Sequence, residues 1–203
     1  MQNKNSFKKG FTLLELMVVV LIIGILVSVA MPMYQGAIDK SRWARMLAPS
    51  RAIANAQESA YMKDGGYTVD KSDLIVSYPS GGDISYTLHT VDNGDDANCV
   101  RISTDKLNNV RLARHYKHDD MSEQLFCEAK SNDDRANTLC NKRLKGSRIG
   151  TTDDGYVSYI LSDFDLSTSS GCQNMNWVWS NAQNTCYPNA GARCTGNVWH
   201  GIR

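Results

Sequence analysis

Residues Phe11 to Met33 read FTLLELMVVVLIIGILVSVAMPM, an almost unbroken apolar run that holds one formal charge, Glu15. About 20 such residues suffice to cross a bilayer as a helix. A carboxylate inside a span costs about 2.5–3.5 kcal/mol on insertion scales, so Glu15 requires a partner or a place near the interface. Before the run stands a polar leader, MQNKNSFKKG, with Lys4, Lys8 and Lys9. An ordinary secretory signal places its small-residue cleavage site after the apolar region and discards that region. Here the small residue, Gly10, comes first. Cleavage after Gly10 would remove the leader and retain the apolar helix, with Phe11 as the first residue and Glu15 as the fifth.

Lys8-Lys9-Gly10-Phe11-Thr12-Leu13-Leu14-Glu15-Leu16 resembles the class III signal of type IV pilins and of the pseudopilins of type II secretion. The match covers roughly the first 35 residues and is closest to type IVa pilins. The resemblance implies that Gly10 is the cleavage residue and that prepilin peptidase methylates the new amine of Phe11. It implies further that Glu15 pairs with that amine on a neighbouring subunit. Gly24 and Pro32 match positions in the N-terminal helix of type IVa pilins. The implied fold is α+β, with a long N-terminal helix, half membrane and half amphipathic, packed on a small antiparallel sheet. The implied partners are copies of the chain itself in a helical homopolymer, minor pilins, prepilin peptidase, an inner-membrane assembly platform, and lipid before assembly. The head would lie in the periplasm and then on an extracellular pilus.

The rest of the chain suits one domain of 65–203 behind a leader of 1–10, a span of 11–33 and a helical continuation of 34–64. Tyr34 to Asp64 is rich in Ala, Met, Gln, Arg and Lys, which are good or acceptable helix formers. Pro32 is expected to kink the helix and Pro49 to kink or break it, since proline removes a backbone donor and crowds the preceding turn. Gly65-Gly66 ends it. Beyond it, Ile84 to Val91, Cys99 to Ser103, Val110 to Tyr116, Met121 to Cys127 and Tyr156 to Leu161 read as strands, with a short one around Leu74 to Tyr78. Asp133 to Leu144 reads as a short helix closed by Gly146, acidic at its start and basic at its end. Ser167 to Arg203 reads as a loop-rich end pinned by disulfides.

Six cysteines, Cys99, Cys127, Cys140, Cys172, Cys186 and Cys194, all follow the span and form no C-x-x-C pair. An even set of this kind suits disulfides in an oxidising compartment. Cys127 and Cys140 flank the short helix, 13 positions apart, and are expected to pair. A Cys172–Cys186 bridge would resemble the C-terminal loop of many pilins, which leaves Cys99 with Cys194. The six cysteines allow about 15 connectivities, which spacing does not resolve.

The net charge of +1 gives no bulk electrostatic case for nucleic acid. The local run Arg111, Arg114, His115, Lys117 and His118 lacks clustered aromatics and reads as a solvated strand edge, so specific binding of nucleic acid is not expected. The acids at Asp92/Asp95/Asp96, Asp153/Asp154 and Asp163/Asp165 read as turn residues, without the spacing of an EF-hand. No metal, cofactor or catalytic set is expected: the chain has no G-x-S-x-G, H-E-x-x-H or P-loop, and no enzymatic activity is expected. The reading is therefore a structural subunit of a type IV pilus, serving adhesion, twitching motility or DNA uptake at the level of the fibre. A type II secretion pseudopilin and an anchored periplasmic domain that never polymerises are the alternatives.

Overall fold

The computed structural model describes residues 11–74, 76, 83–90, 98–118, 123–152 and 154–161, and the backbone of 178–180 and 185–187. Packing divides the chain into two units, Met1–Ile38 and Asp39–Arg203. Helix α1 covers Leu13–Asp64 without interruption. Proline in a helix interior costs about 3 kcal/mol, and Pro49 was expected to kink or break α1. Helical pairing nevertheless continues past it, because Met46, Ser50 and Ile53 on either side are fully buried. Tertiary packing of this kind outweighs local propensity. The helical backbone likewise continues through Pro32, less the one bond its missing N–H would make. Gly65 ends the helix at φ +76°, its N–H donating to the Tyr61 carbonyl at 2.9 Å, the left-handed stop that glycine adopts without Cβ strain.

Six strands follow: β1 (Ile84–His89), β2 (Cys99–Thr104), β3 (Val110–His115), β4 (Leu125–Lys130), β5 (Ser147–Thr151) and β6 (Tyr156–Ile160). They form one antiparallel sheet in the order β1-β2-β3-β4-β6-β5. The fold is thus α+β, with a long N-terminal helix and an antiparallel sheet. β4 begins later than its sequence suggests, after Glu123, which takes φ +58°. β5 was not anticipated, since its glycine and the bulge between Arg148 and Gly150 blur its alternation. Nor were β7 (Val178–Ser180) and β8 (Thr185–Tyr187), which pair with each other. The expected strand near Leu74 lies partly outside the described residues, and Leu74 itself is not in a strand.

The short helix resolves into α2 (Asp134–Thr138), capped by Asp133, whose carboxylate accepts from the Ala136 N–H, and a π-helical turn over Leu139–Arg143. The residue that turns the chain out of it at φ +58° is Lys145 and not Gly146. Gly146 is small for a different reason: a Cβ there would lie 2.8 Å from Tyr159 Cβ and 2.9 Å from the Cys140 carbonyl oxygen. A disulfide joins Cys127 on β4 to Cys140 in the π-helical turn. Cys99 is also disulfide-bonded. The expected Cys172–Cys186 and Cys99–Cys194 pairings lie outside the described residues.

The sheet is buried on both faces, which defeats a simple in–out alternation. On one face Val100, Ile102, Leu112, Cys127, Ala129, Val157 and Tyr159 form one cluster with Trp43, Met46 and Ile53 of α1. The other face holds ions. Arg101 Nε and Arg111 Nε both reach Glu128 Oε2 at 3.0 Å, and Arg111 Nη1 reaches Asp154 Oδ2 at 2.8 Å. The Arg111 guanidinium also lies 3.4 Å from the centre of the Tyr156 ring. Burial works against the Arg111 charge, but Glu128 and Asp154 more than offset it and hold its pKa above the ordinary value.

Candidate functional site

Helix α1 opens on a reciprocal cap. Thr12 Oγ1 accepts from the Glu15 N–H at 3.2 Å, while Glu15 Oε2 accepts from the Thr12 N–H at 3.0 Å and from its hydroxyl at 3.0 Å. A Thr three residues before a Glu in this arrangement is a capping box, which satisfies backbone donors that the first helical turn leaves without partners. This local partner, Thr12, is not among those expected of Glu15 from the sequence, although T-x-x-E is legible in the motif. Both local bonds end on Oε2, so Oε1 remains to accept from another group.

The helix that follows is bare among the described residues. Every side chain from Phe11 to Gln35 is exposed, including Phe11 at 82% and Leu26 at 64%. The span is long and apolar enough to cross a membrane, by length and composition. A Cβ on Gly24 would meet nothing within 4 Å. Four residues on, Ser28 Oγ donates to the Ile25 carbonyl at 2.7 Å. A further four residues on, Pro32 supplies no N–H to the Ser28 carbonyl. Gly24, Ser28 and Pro32 therefore share one stripe of the helix, from which Pro32 removes one backbone donor. Gly10 lies outside the described residues.

The lower half of α1 is tied to the rest of its unit by polar residues. Its buried positions follow a spacing of four and three residues: Asp39, Trp43, Met46, Ser50, Ile53 and Gln57. Three of them are polar, and each is matched. Asp39 takes Arg135 Nε and Nη2 at 2.9 and 2.8 Å, a bond that raises the Arg135 pKa. Ser50 Oγ accepts from Arg114 Nε at 3.1 Å. Gln57 donates to the Thr68 carbonyl at 2.6 Å and accepts from its N–H at 3.0 Å. Nearby, Asp83 is held down to about 2, first by the Thr104 hydroxyl and then by Arg45 and Lys106, against some desolvation.

The basic run on β3 is not a single patch. Strand alternation sends Arg111 to the Glu128 face and Arg114 to the α1 face, and His115 is buried. Asp154 is engaged by Arg111 and by Thr152 Oγ1. The other acids singled out in turns lie outside the described residues.

A model of the prokaryotic N-terminal methylation motif matches residues 5–31. A fimbrial protein of Pseudomonas aeruginosa is 32% identical over 105 residues, 52% of this chain and 66% of that protein. The type IV narrow pilus major component of Thermus thermophilus is 35% identical over 92 residues, 45% of this chain and 78% of that protein. The chain belongs to the type IV pilin family. A fimbrial protein of Neisseria meningitidis is 25% identical over 150 residues, which covers 74% of this pilin and 82% of the relative. The pilin spans 66%, just under two thirds, of the length of each of two Pseudomonas relatives. No solved structure matches it. Type IV pilins are structural subunits, not enzymes.

Proposed function

We propose that this pilin is a structural subunit of a type IV pilus, anchored first in the inner membrane with its head in the periplasm and then polymerised into an extracellular filament. The observation that carries the reading is the bare helix: all residues from Leu13 to Gln35 are exposed, most of them within the methylation motif matched over 5–31. An apolar surface of this extent marks a site for lipid or for partner helices. Lipid would cover it in the precursor, and helices of other copies would replace the lipid in the fibre.

In this reading, prepilin peptidase cleaves between Gly10 and Phe11 and methylates Phe11. Glu15 keeps Thr12 through Oε2 and receives the neighbour's amine at Oε1. The segment from Gly24 to Pro32 is where the helix can unwind once protein instead of lipid surrounds it, since exposed backbone in lipid costs several kcal/mol per group. Minor pilins and an assembly platform complete the machinery, and adhesion, twitching or DNA uptake belongs to the assembled fibre.

The test is mass spectrometry of filaments sheared from cells. The expected chain begins at N-methylated Phe11 and is abundant in the sheared fraction. A chain that keeps Met1 and stays in the membrane fraction would instead be an anchored domain that does not polymerise.

A further inference from the structure

Arg114 differs from the other half-buried and buried arginines of the sheet. Arg101 and Arg111 end on carboxylates. Arg114 gives its Nε to the neutral Ser50 hydroxyl, and among the described residues no carboxylate stands within ion-pair distance of it. Arg51 follows Ser50 on α1, and its positive charge acts on Arg114. Burial and then the Arg51 charge lower the Arg114 pKa, and Glu123 offsets this only in part. A planar guanidinium fork is built to take a carboxylate by two parallel bonds. Nucleic acid fits poorly, because its binding rests on many phosphate contacts and the remaining cations of β3 are buried or paired on the other face.

The chain also carries the complementary group. Asp105 and Asp134 are exposed, and neither makes an ion pair or side-chain hydrogen bond within the chain among the described residues. Both lie at the opposite end of β3 from Arg114, where Asn109 Nδ2 donates to Asp133 Oδ2 at 2.9 Å and holds the β2–β3 turn against α2. At about 3.4 Å per residue, β3 separates the two ends by roughly 14–17 Å. A patch and its complement at different places on one molecule make a heterologous contact, which repeats as an open helical array when rotation does not close it.

We infer that Arg51 and Arg114 of one subunit receive an aspartate of the next, Asp105 or Asp134, as a head-to-tail contact between heads in the filament. The inference rests on the filament reading above.

The experiment expresses the full-length chain in cells that carry pilus machinery but lack their own major subunit, and measures the sheared filament. Arg51→Glu is expected to lower filament about ten-fold, the effect of losing one intersubunit charge pair. The thermal midpoint of the detergent-solubilised subunit should hold or rise, because a like-charge neighbour of Arg114 is removed. Adding Asp105→Arg or Asp134→Arg to Arg51→Glu should return one of the two double variants to within about three-fold of wild type. Arg114→Gln, which can still donate to Ser50, should assemble as poorly as Arg51→Glu. Arg51→Glu filament at wild-type level, or two double variants no better than Arg51→Glu alone, would overturn the contact. A wild-type chain that makes no filament would tell against the filament reading itself.

Discussion

Gln57→Glu changes one amide to a carboxyl of nearly the same shape, and the structure gives a sharp expectation for it. Gln57 is fully buried, and its side chain both gives a hydrogen bond to Thr68 and takes one. An ionised Glu keeps the acceptor for the Thr68 N–H but turns a second acceptor on the Thr68 carbonyl, 2.6 Å away in the wild type. A buried charge without a partner costs about 3–5 kcal/mol, a sum that includes the lost hydrogen bond. For a unit of this size each kcal/mol moves the melting temperature by about 2–4 °C, so Gln57→Glu should melt roughly 6–20 °C lower at neutral pH. A protonated Glu can donate to the carbonyl and restore the wild-type pattern. Its pKa is therefore raised in the folded state above the unfolded value of about 4.3. The deficit should vanish below about pH 4, open as pH rises past the unfolded value, and level off above the folded one. Fluorescence of the buried Trp43 reports the melt, with full-length protein in detergent compared with wild type at each pH. Gln57→Leu should lose stability equally at every pH. A Gln57→Glu variant that matches wild type at neutral pH, or whose deficit ignores pH, would show that the Gln57–Thr68 pair is not held dry and buried as described.

Other expectations follow from the same contacts. Gly146→Ala should destabilise by about 1–3 kcal/mol through overpacking against Tyr159 and Cys140, whereas Gly24→Ala, in open space, should leave the melt of the head unchanged by the same assay. Burial raises the Asp154 carboxyl, but its bonds to Arg111 and Thr152 leave it below the ordinary 3.8, and the Ala136 N–H does the same for Asp133. Their stabilisation is complete above about pH 4 and lost as pH falls through the depressed values; acid titration should show Asp154→Asn with a shallower loss there than wild type. Replacing Cys127 and Cys140 together by Ser should cost about 3 kcal/mol in the chain-entropy model, measured by denaturant unfolding, and an unchanged midpoint would count against it. Glu15→Leu should enter the membrane normally yet give few filaments; normal filament number by electron microscopy would reject the role proposed for Oε1.

The helix was legible because its signals are local: an apolar run, good helix formers and a glycine stop at Gly65. β1 to β3 were legible for the same reason. The tertiary ties were not. Asp39, Ser50 and Gln57 look like surface residues, and only the partners Arg135, Arg114 and Thr68 reveal them as buried. In β2 and β4, Arg101 and Glu128 sit inside as a pair, so the polar positions of a strand do not mark a solvent face. The basic run on β3 looked continuous in sequence because adjacent letters fall on opposite faces of a strand. The N-terminal site was the reverse case: its motif was fully legible, but a signal so specific for an outside partner of Glu15 masks the ordinary capping role that Thr12 gives it.

The three buried polar ties of lower α1 also have a mechanical meaning. Asp39 and Gln57 lie eighteen positions apart with Ser50 between them, about 27 Å of helix at 1.5 Å per residue. A filament pulled from one end would load each subunit along this axis. Ties spaced along the pulling direction share that load in shear, so Arg135, Arg114 and Thr68 would have to give way together rather than peel off in turn. The salt link at Asp39, the hydroxyl bridge at Ser50 and the amide clamp at Gln57 thus act like rivets along a seam, and the head would detach from its helix as a single event.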